Sequence, residues 1–253
     1  MPNAINPAGE TESWQSRTLT LLGEEAAARL ASARVAVVGV GGVGGYAAEM
    51  LVRSGVGHIT IIDSDAVAPS NINRQIIALQ STVGQAKTDL FAARFADINP
   101  AISLDARREF LTAESAAALA AEPFDFILDC IDTVAPKVAL IAESMRRGRR
   151  IISSMGAGGR TDASKVVCTD LWQTREDGLA RAVRQRLKAL GLKRKLPVVA
   201  STESPRRQSI IEINTQNKRS SLGTLACVPA VFGIFMASYA LNRLAAQIST
   251  HHA

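Results

Sequence analysis

The chain has 253 residues, 47% of them hydrophobic, enough to bury one large core. Lysine and arginine number 29 against 23 acids, a net charge of +6 that favours an anionic partner. The polar start at 1–13 lacks the apolar stretch of a secretory signal, and the most apolar run, 228–241, is shorter than the ~20 residues a membrane span needs and is broken by Asn242 and Arg243. With only three cysteines, a reducing, cytoplasmic setting is expected.

From the N-terminus, residues 1–16 read as a mobile tail and 17–248 as one domain. Strands are expected at 34–38, 59–63, 103–107, 126–129 and 150–153, with helices between them at 45–54, 87–99, 114–121 and 137–147. Such alternation is the pattern of an α/β, doubly wound (Rossmann-like), mostly parallel sheet. Strands near 165–169, 198–201 and 210–213 are expected as antiparallel additions in the C-terminal half, and 229–246 as a final buried helix.

The first strand runs into Gly39-Val40-Gly41-Gly42-Val43-Gly44 and then a helix, a dinucleotide-type turn whose glycines let main-chain N–H groups approach phosphate. Asp63 closes the second strand, where a carboxylate accepts hydrogen bonds from ribose hydroxyls. Alone, these features suggest NAD. Beyond them come Asp65, Ser70-Asn71-Ile72-Asn73-Arg74-Gln75 and Val83-Gly84-Gln85-Ala86-Lys87. Those amides, guanidinium and ammonium suit a triphosphate and have no use in hydride transfer.

Making an acyl adenylate brings a carboxylate onto the α-phosphate of ATP, so two anions must meet and the departing pyrophosphate must be neutralised. Arg74 and Lys87 are the catalytic candidates for this. The strand 126–129 continues into Cys130-Ile131-Asp132, and Asp132 is both the third catalytic candidate and the expected Mg2+ ligand. The three cysteines, Cys130, Cys168 and Cys227, include no Cys-x-x-Cys pair, which excludes a four-thiolate zinc site. All three are expected in the core, and His58, His251 and His252 are assigned no catalytic role.

Together, Gly39-x-Gly41-Gly42-x-Gly44, Asp63, Asn71-x-Asn73-Arg74-Gln75, Lys87 and Asp129-x-x-Asp132 resemble the ubiquitin-activating-enzyme-like (ThiF/MoeB/HesA) adenylyltransferase superfamily. The resemblance implies ATP bound at Gly39, Gly41, Gly42, Gly44, Asp63, Asn71, Asn73, Arg74 and Lys87, with Mg2+ at Asp132. It also implies a homodimer whose N-terminal segment lies near the neighbour's nucleotide.

The second half resembles the tRNA threonylcarbamoyladenosine dehydratase family in Gly156-Ala157-Gly158-Gly159-Arg160, Val166-Val167-Cys168-Thr169-Asp170-Leu171, Thr174-x-x-Asp177-Gly178-Leu179-Ala180, Arg184-x-x-Leu187 and Ala200-Ser201-Thr202-Glu203. That family adenylates the threonyl carboxylate of the modified nucleoside, and the carbamoyl group then closes the ring with net loss of water. No enzyme thiol is needed. Two positions depart from the pattern: Thr20 stands where members carry an arginine, with Arg17 close by, and Asp177-Gly178-Leu179 replaces Asp-Pro-Leu.

The family reading implies tRNA as partner and leaves open a sulfur-relay protein. A basic block fits it: Arg181, Arg184, Arg186, Lys188, Lys193, Arg194 and Lys195 have no acid among them, followed by Arg206-Arg207 and Lys218-Arg219. Arg181, Arg184, Lys188, Lys193, Arg194 and Lys195 are the tRNA candidates. Leu179, Val183, Leu187 and Leu190 recur at helical spacing, so the block is a helix docked by one face. Arg146, Arg147, Arg149 and Arg150 form a second basic cluster. Three readings compete with the dehydratase: an adenylyltransferase for a ubiquitin-like sulfur carrier, an NAD-linked oxidoreductase and a nucleotide-sensing module.

Overall fold

The computed structural model describes residues 13–206, 210–215 and 218–246, with side chains left out at 207–221. Most of the expected tail, the side chains of Arg207, Lys218 and Arg219, and His251 and His252 lie outside the described residues.

Two short helices, α1 (Ser16–Leu22) and α2 (Glu24–Ser32), lead into β1 (Arg34–Val38). Then follow α3 (Gly44–Arg53), β2 (His58–Ile62), α4 (Lys87–Ile98), β3 (Ser103–Arg107), α5 (Ala113–Ala121), β4 (Phe126–Asp129), α6 (Val134–Arg146) and β5 (Ile151–Ser154). The second half adds β6 (Val166–Asp170), α7 (Gly178–Ala189), β7 (Pro197–Ser201), β8 (Ile210–Thr215), β9 (Lys218–Leu222) and α8 (Cys227–Ala245).

Strands β1 to β7 form one sheet in the order β3-β2-β1-β4-β5-β7-β6. Its inner strands are buried on both faces, which is why they read as continuous apolar runs. Along β1, Val35 and Val37 join the core beneath α3, α4 and α8, while Ala36 and Val38 join the core beneath α5, α6 and α7. Helices therefore cover both faces, the doubly wound arrangement expected.

Two expectations about the later strands need correction. β7 is not an antiparallel addition, because it pairs parallel with β5 through Ser153↔Val198 and Ser154↔Val199. α7 is the reason: it turns the chain round after β6, so that β7 enters the sheet in the same direction as β5. β6 does run antiparallel to β7, at the sheet's edge. β8 pairs only with β9 among the described residues, as a separate hairpin.

The final helix is longer than its apolar run suggested. At 19 residues α8 is long and apolar enough to cross a bilayer by length and composition. Val228, Phe232, Met236 and Ala240 on it are nevertheless fully buried, in the core that α8 shares with α3 and the sheet.

Candidate active site

The strand order reverses between β1 and β4, and open α/β sheets bind ligands beyond the carboxyl ends of the strands at such a switch point. Gly39 leaves β1 at φ +85°, where a side chain is strained, and its N–H donates to the Ile62 carbonyl at 2.8 Å. A Cβ on Gly44 would lie 1.8 Å from the Gly39 carbonyl oxygen, so α3 starts pressed against the strand end. A side chain at Gly42 would meet the Arg74 Cγ at 3.3 Å, and one at Gly41 the Gln75 Nε2 at 3.6 Å. The bare turn thus leaves room for Arg74 and Gln75 to lie against it.

Asp63 locks this turn to β2. Its Oδ2 accepts from the Val40 N–H at 2.9 Å and its Oδ1 from the Asp65 N–H at 2.9 Å. Lys87, the first residue of α4, is only 3% exposed and sets its Nζ 2.8 Å from Asp65 Oδ2 and 3.6 Å from Asp63 Oδ1. An antiparallel bridge between Ala66 and Ala86 holds the two segments together. Lys87 is thus oriented by acids on one side of the glycine turn.

Arg74 reaches the same turn from the chain just after the 3-10 segment Pro69–Asn71. Its Nη1 donates to the Ser70 carbonyl at 2.8 Å and to Asn73 Oδ1 at 3.1 Å, and it has no carboxylate partner among the described residues. Asn71 and Asn73 hold the loop: Asn71 Oδ1 accepts from the Ala68 N–H at 3.1 Å, and Asn73 Nδ2 donates to the Thr224 carbonyl at 2.9 Å. Gln75 is buried, and its Oε1 has no hydrogen-bond partner among the described residues. An orphaned polar atom under a glycine turn fits a ligand that brings its own donors.

Asp132 lies in the exposed loop after β4, the strand next to β1 in the sheet. Asp129 braces that loop by accepting from the Ile131 N–H at 3.1 Å. Asp129 is itself fully buried, 2.7 Å from Lys137 Nζ and 2.6 Å from Ser153 Oγ. The Lys137 ammonium also donates to Ser153 Oγ at 3.0 Å and to the Ser154 carbonyl at 2.9 Å. Sequence reasoning missed Lys137 and took it for the plain start of a helix. The available signal was Asp129, an acid closing an apolar strand and so in need of a counter-charge.

The later motifs form one knot at the end of β5. Arg160, 3% exposed, donates from Nε to the Glu203 carbonyl at 2.9 Å, from Nη2 to the Glu176 carbonyl at 3.1 Å, and to the Gly156 carbonyl. Asp177 caps α7 by accepting from the Ala180 N–H at 2.8 Å and binds the Gly156 N–H at 2.9 Å. Glu203 accepts from the Thr161 and Asp162 N–H groups, which hold its carboxyl below the ordinary range. Gly178, one of the two departures, has nothing within 4 Å of where a Cβ would stand, so it is a mild change.

Of the proposed tRNA residues, Arg181, Lys188, Lys193 and Lys195 are exposed. Arg184 and Arg194 also serve the fold: Arg184 Nη1 donates to the Leu171 carbonyl at 3.2 Å and the Thr174 carbonyl at 3.1 Å, and Arg194 Nη1 to the Met145 carbonyl at 2.9 Å.

The cysteine expectation holds only in part. The Cys130 thiol, in contact with Met236, is pushed far up by burial and by the charge of Asp129. Cys168 and Cys227 are exposed instead. The reason is placement: β6 is an edge strand, and Cys227 is the first residue of α8. Among the described residues no three His, Cys, Asp or Glu side chains gather as a metal site. A magnesium ion takes only one or two carboxylates and fills its shell with phosphate and water, a need that an exposed carboxylate such as Asp132 could meet.

The ThiF family model matches residues 15–252. The tRNA threonylcarbamoyladenosine dehydratase of Bacillus subtilis (strain 168) is 38% identical over 241 residues, covering 92% of this chain and 95% of its own. That of Escherichia coli (strain K12) is 37% identical over 258 residues, covering 94% and 96%. The crystal structure of the E. coli tRNA N6-threonylcarbamoyladenosine dehydratase in complex with ATP superposes with a TM-score of 0.85 at 36% identity, over 98% of this chain and all of the other. This chain belongs to the ThiF family, in the branch of the tRNA threonylcarbamoyladenosine dehydratases.

Proposed function

We propose that the protein uses ATP to cyclise N6-threonylcarbamoyladenosine in tRNA by adenylating its carboxylate. One observation carries the reading: the glycine turn, Asp63, Arg74 and Lys87 meet at the sheet's switch point, in a chain that matches dehydratases over nine-tenths of its length. A solved relative binds ATP in the same fold.

In this scheme the glycine turn and Asp63 seat the nucleotide, while Arg74 and Lys87 draw the negative charge of the β- and γ-phosphates. An oxygen of the threonyl carboxylate attacks the α-phosphorus, forming a C–O–P linkage as the bond to pyrophosphate breaks. The carbamoyl group then attacks the activated carbonyl carbon, AMP leaves with the carboxyl oxygen, and a proton is lost to solvent. Asp132 would hold Mg2+, whose chemistry there is to neutralise phosphate charge. Lys87 is pre-oriented by Asp63 and Asp65, so little reorganisation accompanies ATP binding.

We also read the protein as a homodimer. The outer face of α8 carries Ile234 and Phe235 exposed to solvent, with Leu225 just before it, an apolar surface suited to a second copy. Arg17, exposed on α1, is the residue we propose to reach the neighbour's nucleotide in place of the missing arginine at position 20. On the family resemblance alone, a sulfur-relay protein is a further proposed partner, and the cytoplasm is the proposed compartment.

The test is mass spectrometry of tRNA nucleosides after incubation with the purified protein, ATP and magnesium. The expected result is loss of one water from the threonylcarbamoyl nucleoside, with tRNA-dependent release of pyrophosphate. Pyrophosphate release driven instead by a small protein ending in Gly-Gly would overturn the reading in favour of sulfur-carrier activation.

A further inference from the structure

At the opposite end of the sheet from the nucleotide turn, where β4, β5 and β7 begin, lies a cleft of about 290 Å³. Arg149, Arg150, Arg194, Lys195 and Arg243 line it, with Tyr239 as an aromatic wall, and no acidic side chain takes part. Two basic clusters far apart in sequence, together with a fifth cation from α8, therefore share one depression. None of the five forms an ion pair among the described residues.

Helix ends explain some of this charge. α6, α7 and α8 all finish near the cleft, and the carbonyl ends of helices favour cations. Arg149 donates to the Ala120 and Ala121 carbonyls and Arg194 to the Met145 carbonyl, so these two are accounted for by the fold. Arg150 and Lys195 are exposed and make no such side-chain bond among the described residues. Arg243 lies with its Cζ 3.3 Å from the Tyr239 ring centroid, and its remaining bond, to the Tyr239 carbonyl, is a long 3.4 Å. Stacking of this kind fixes the plane of a guanidinium and leaves its edge for an incoming anion.

Taking the tRNA reading above as its basis, we propose that this cleft binds the phosphodiester backbone of the tRNA, at a distance from the ATP site. Extent argues for a polyanion over a single phosphate. Arg194 and Lys195 on the cleft wall directly follow the exposed Lys193 in the chain, and the preceding stretch carries the exposed Lys188 and Arg181 on α7. With Phe126 buried and Tyr239 covered by Arg243, a cleft so rich in cations reads charge and shape, not base sequence. Held there, the RNA backbone sets the distance at which the modified base enters the opposite end of the sheet.

The experiment uses the full-length protein and the variant Arg150→Ala/Lys195→Ala/Arg243→Ala. Binding of fluorescently labelled tRNA is followed by anisotropy across a salt series, and ATP binding by calorimetry. Removing one phosphate-binding cation lowers the slope of log affinity against log salt by about one, so the slope falls by about two to three units, and affinity at moderate salt drops about tenfold or more. ATP affinity stays at the wild-type value. Arg150→Ala/Lys195→Ala, which leaves the Tyr239 stack in place, gives about two-thirds of the slope change should the triple variant fold poorly. Unchanged tRNA affinity and slope in a folded variant, with wild-type protein binding tRNA well, would overturn the cleft alone and leave the enzymatic reading standing. Binding of inorganic tripolyphosphate that the variant loses, while tRNA binding persists, also overturns it. A wild-type protein that ignores tRNA brings down the enzymatic reading and the cleft together.

Discussion

Lys137 Nζ lies 2.7 Å from Asp129 Oδ2 with both side chains fully buried, and the pair ties α6 to the ends of β4 and β5 beneath the loop that bears Asp132. Removing one member of such a pair strands a charge in the interior, whereas removing both leaves none. Lys137→Met is expected to cost about 3–5 kcal/mol in urea denaturation. Asp129→Leu/Lys137→Met is expected to recover part of that loss. Equal stability of the single variant and the wild type would show that the pair does not brace the sheet.

Asp132→Ala should remain folded while pyrophosphate release falls about 10²–10³-fold. Lys87→Ala should lose turnover to a similar degree and also some stability, because Asp63 and Asp65 then face each other without their cation. Full activity in either variant would remove that residue from the site.

Gly44 admits no side chain, since an added Cβ would stand 1.8 Å from the Gly39 carbonyl oxygen. Gly44→Ala must therefore push α3 away from β1. The expected outcome is a loss of about 1–3 kcal/mol in stability, typical of overpacking, and a clear weakening of ATP binding measured by calorimetry. Wild-type ATP affinity in this variant would place the nucleotide elsewhere.

Glu49 on α3 is 2% exposed and bonded to Arg94 at 2.5 Å and to Arg53 at 2.8 Å. Burial pushes its carboxyl up, but the two guanidinium groups more than offset this and hold it below its ordinary value of 4.5. A depressed carboxylate stabilises the fold above the unfolded-state pKa, and the contribution disappears as pH falls through the folded value. The stability gap between wild type and Glu49→Gln should thus be widest above pH 4.5 and shrink in acid. Denaturation curves at a series of pH values measure it; a gap that stays constant into strong acid would contradict the assignment.

The sequence by itself determined the alternating strands and helices, the glycine turn after β1, the carboxylate ending β2 and the lysine opening α4, because each is written in local periodicity or turn chemistry over a few residues. Tertiary structure decided the rest. The direction of β7 depends on where α7 returns the chain, and the exposure of Cys168 depends on β6 falling at the sheet's edge. Lys137 became a buried brace only because α6 descends over Asp129, and Arg184 and Arg194 found backbone carbonyls that no spacing rule announces. Arg150, Lys195 and Arg243 converge for the same reason: side-chain charge is set by the residue, but its neighbours are set by the order in which strands join the sheet.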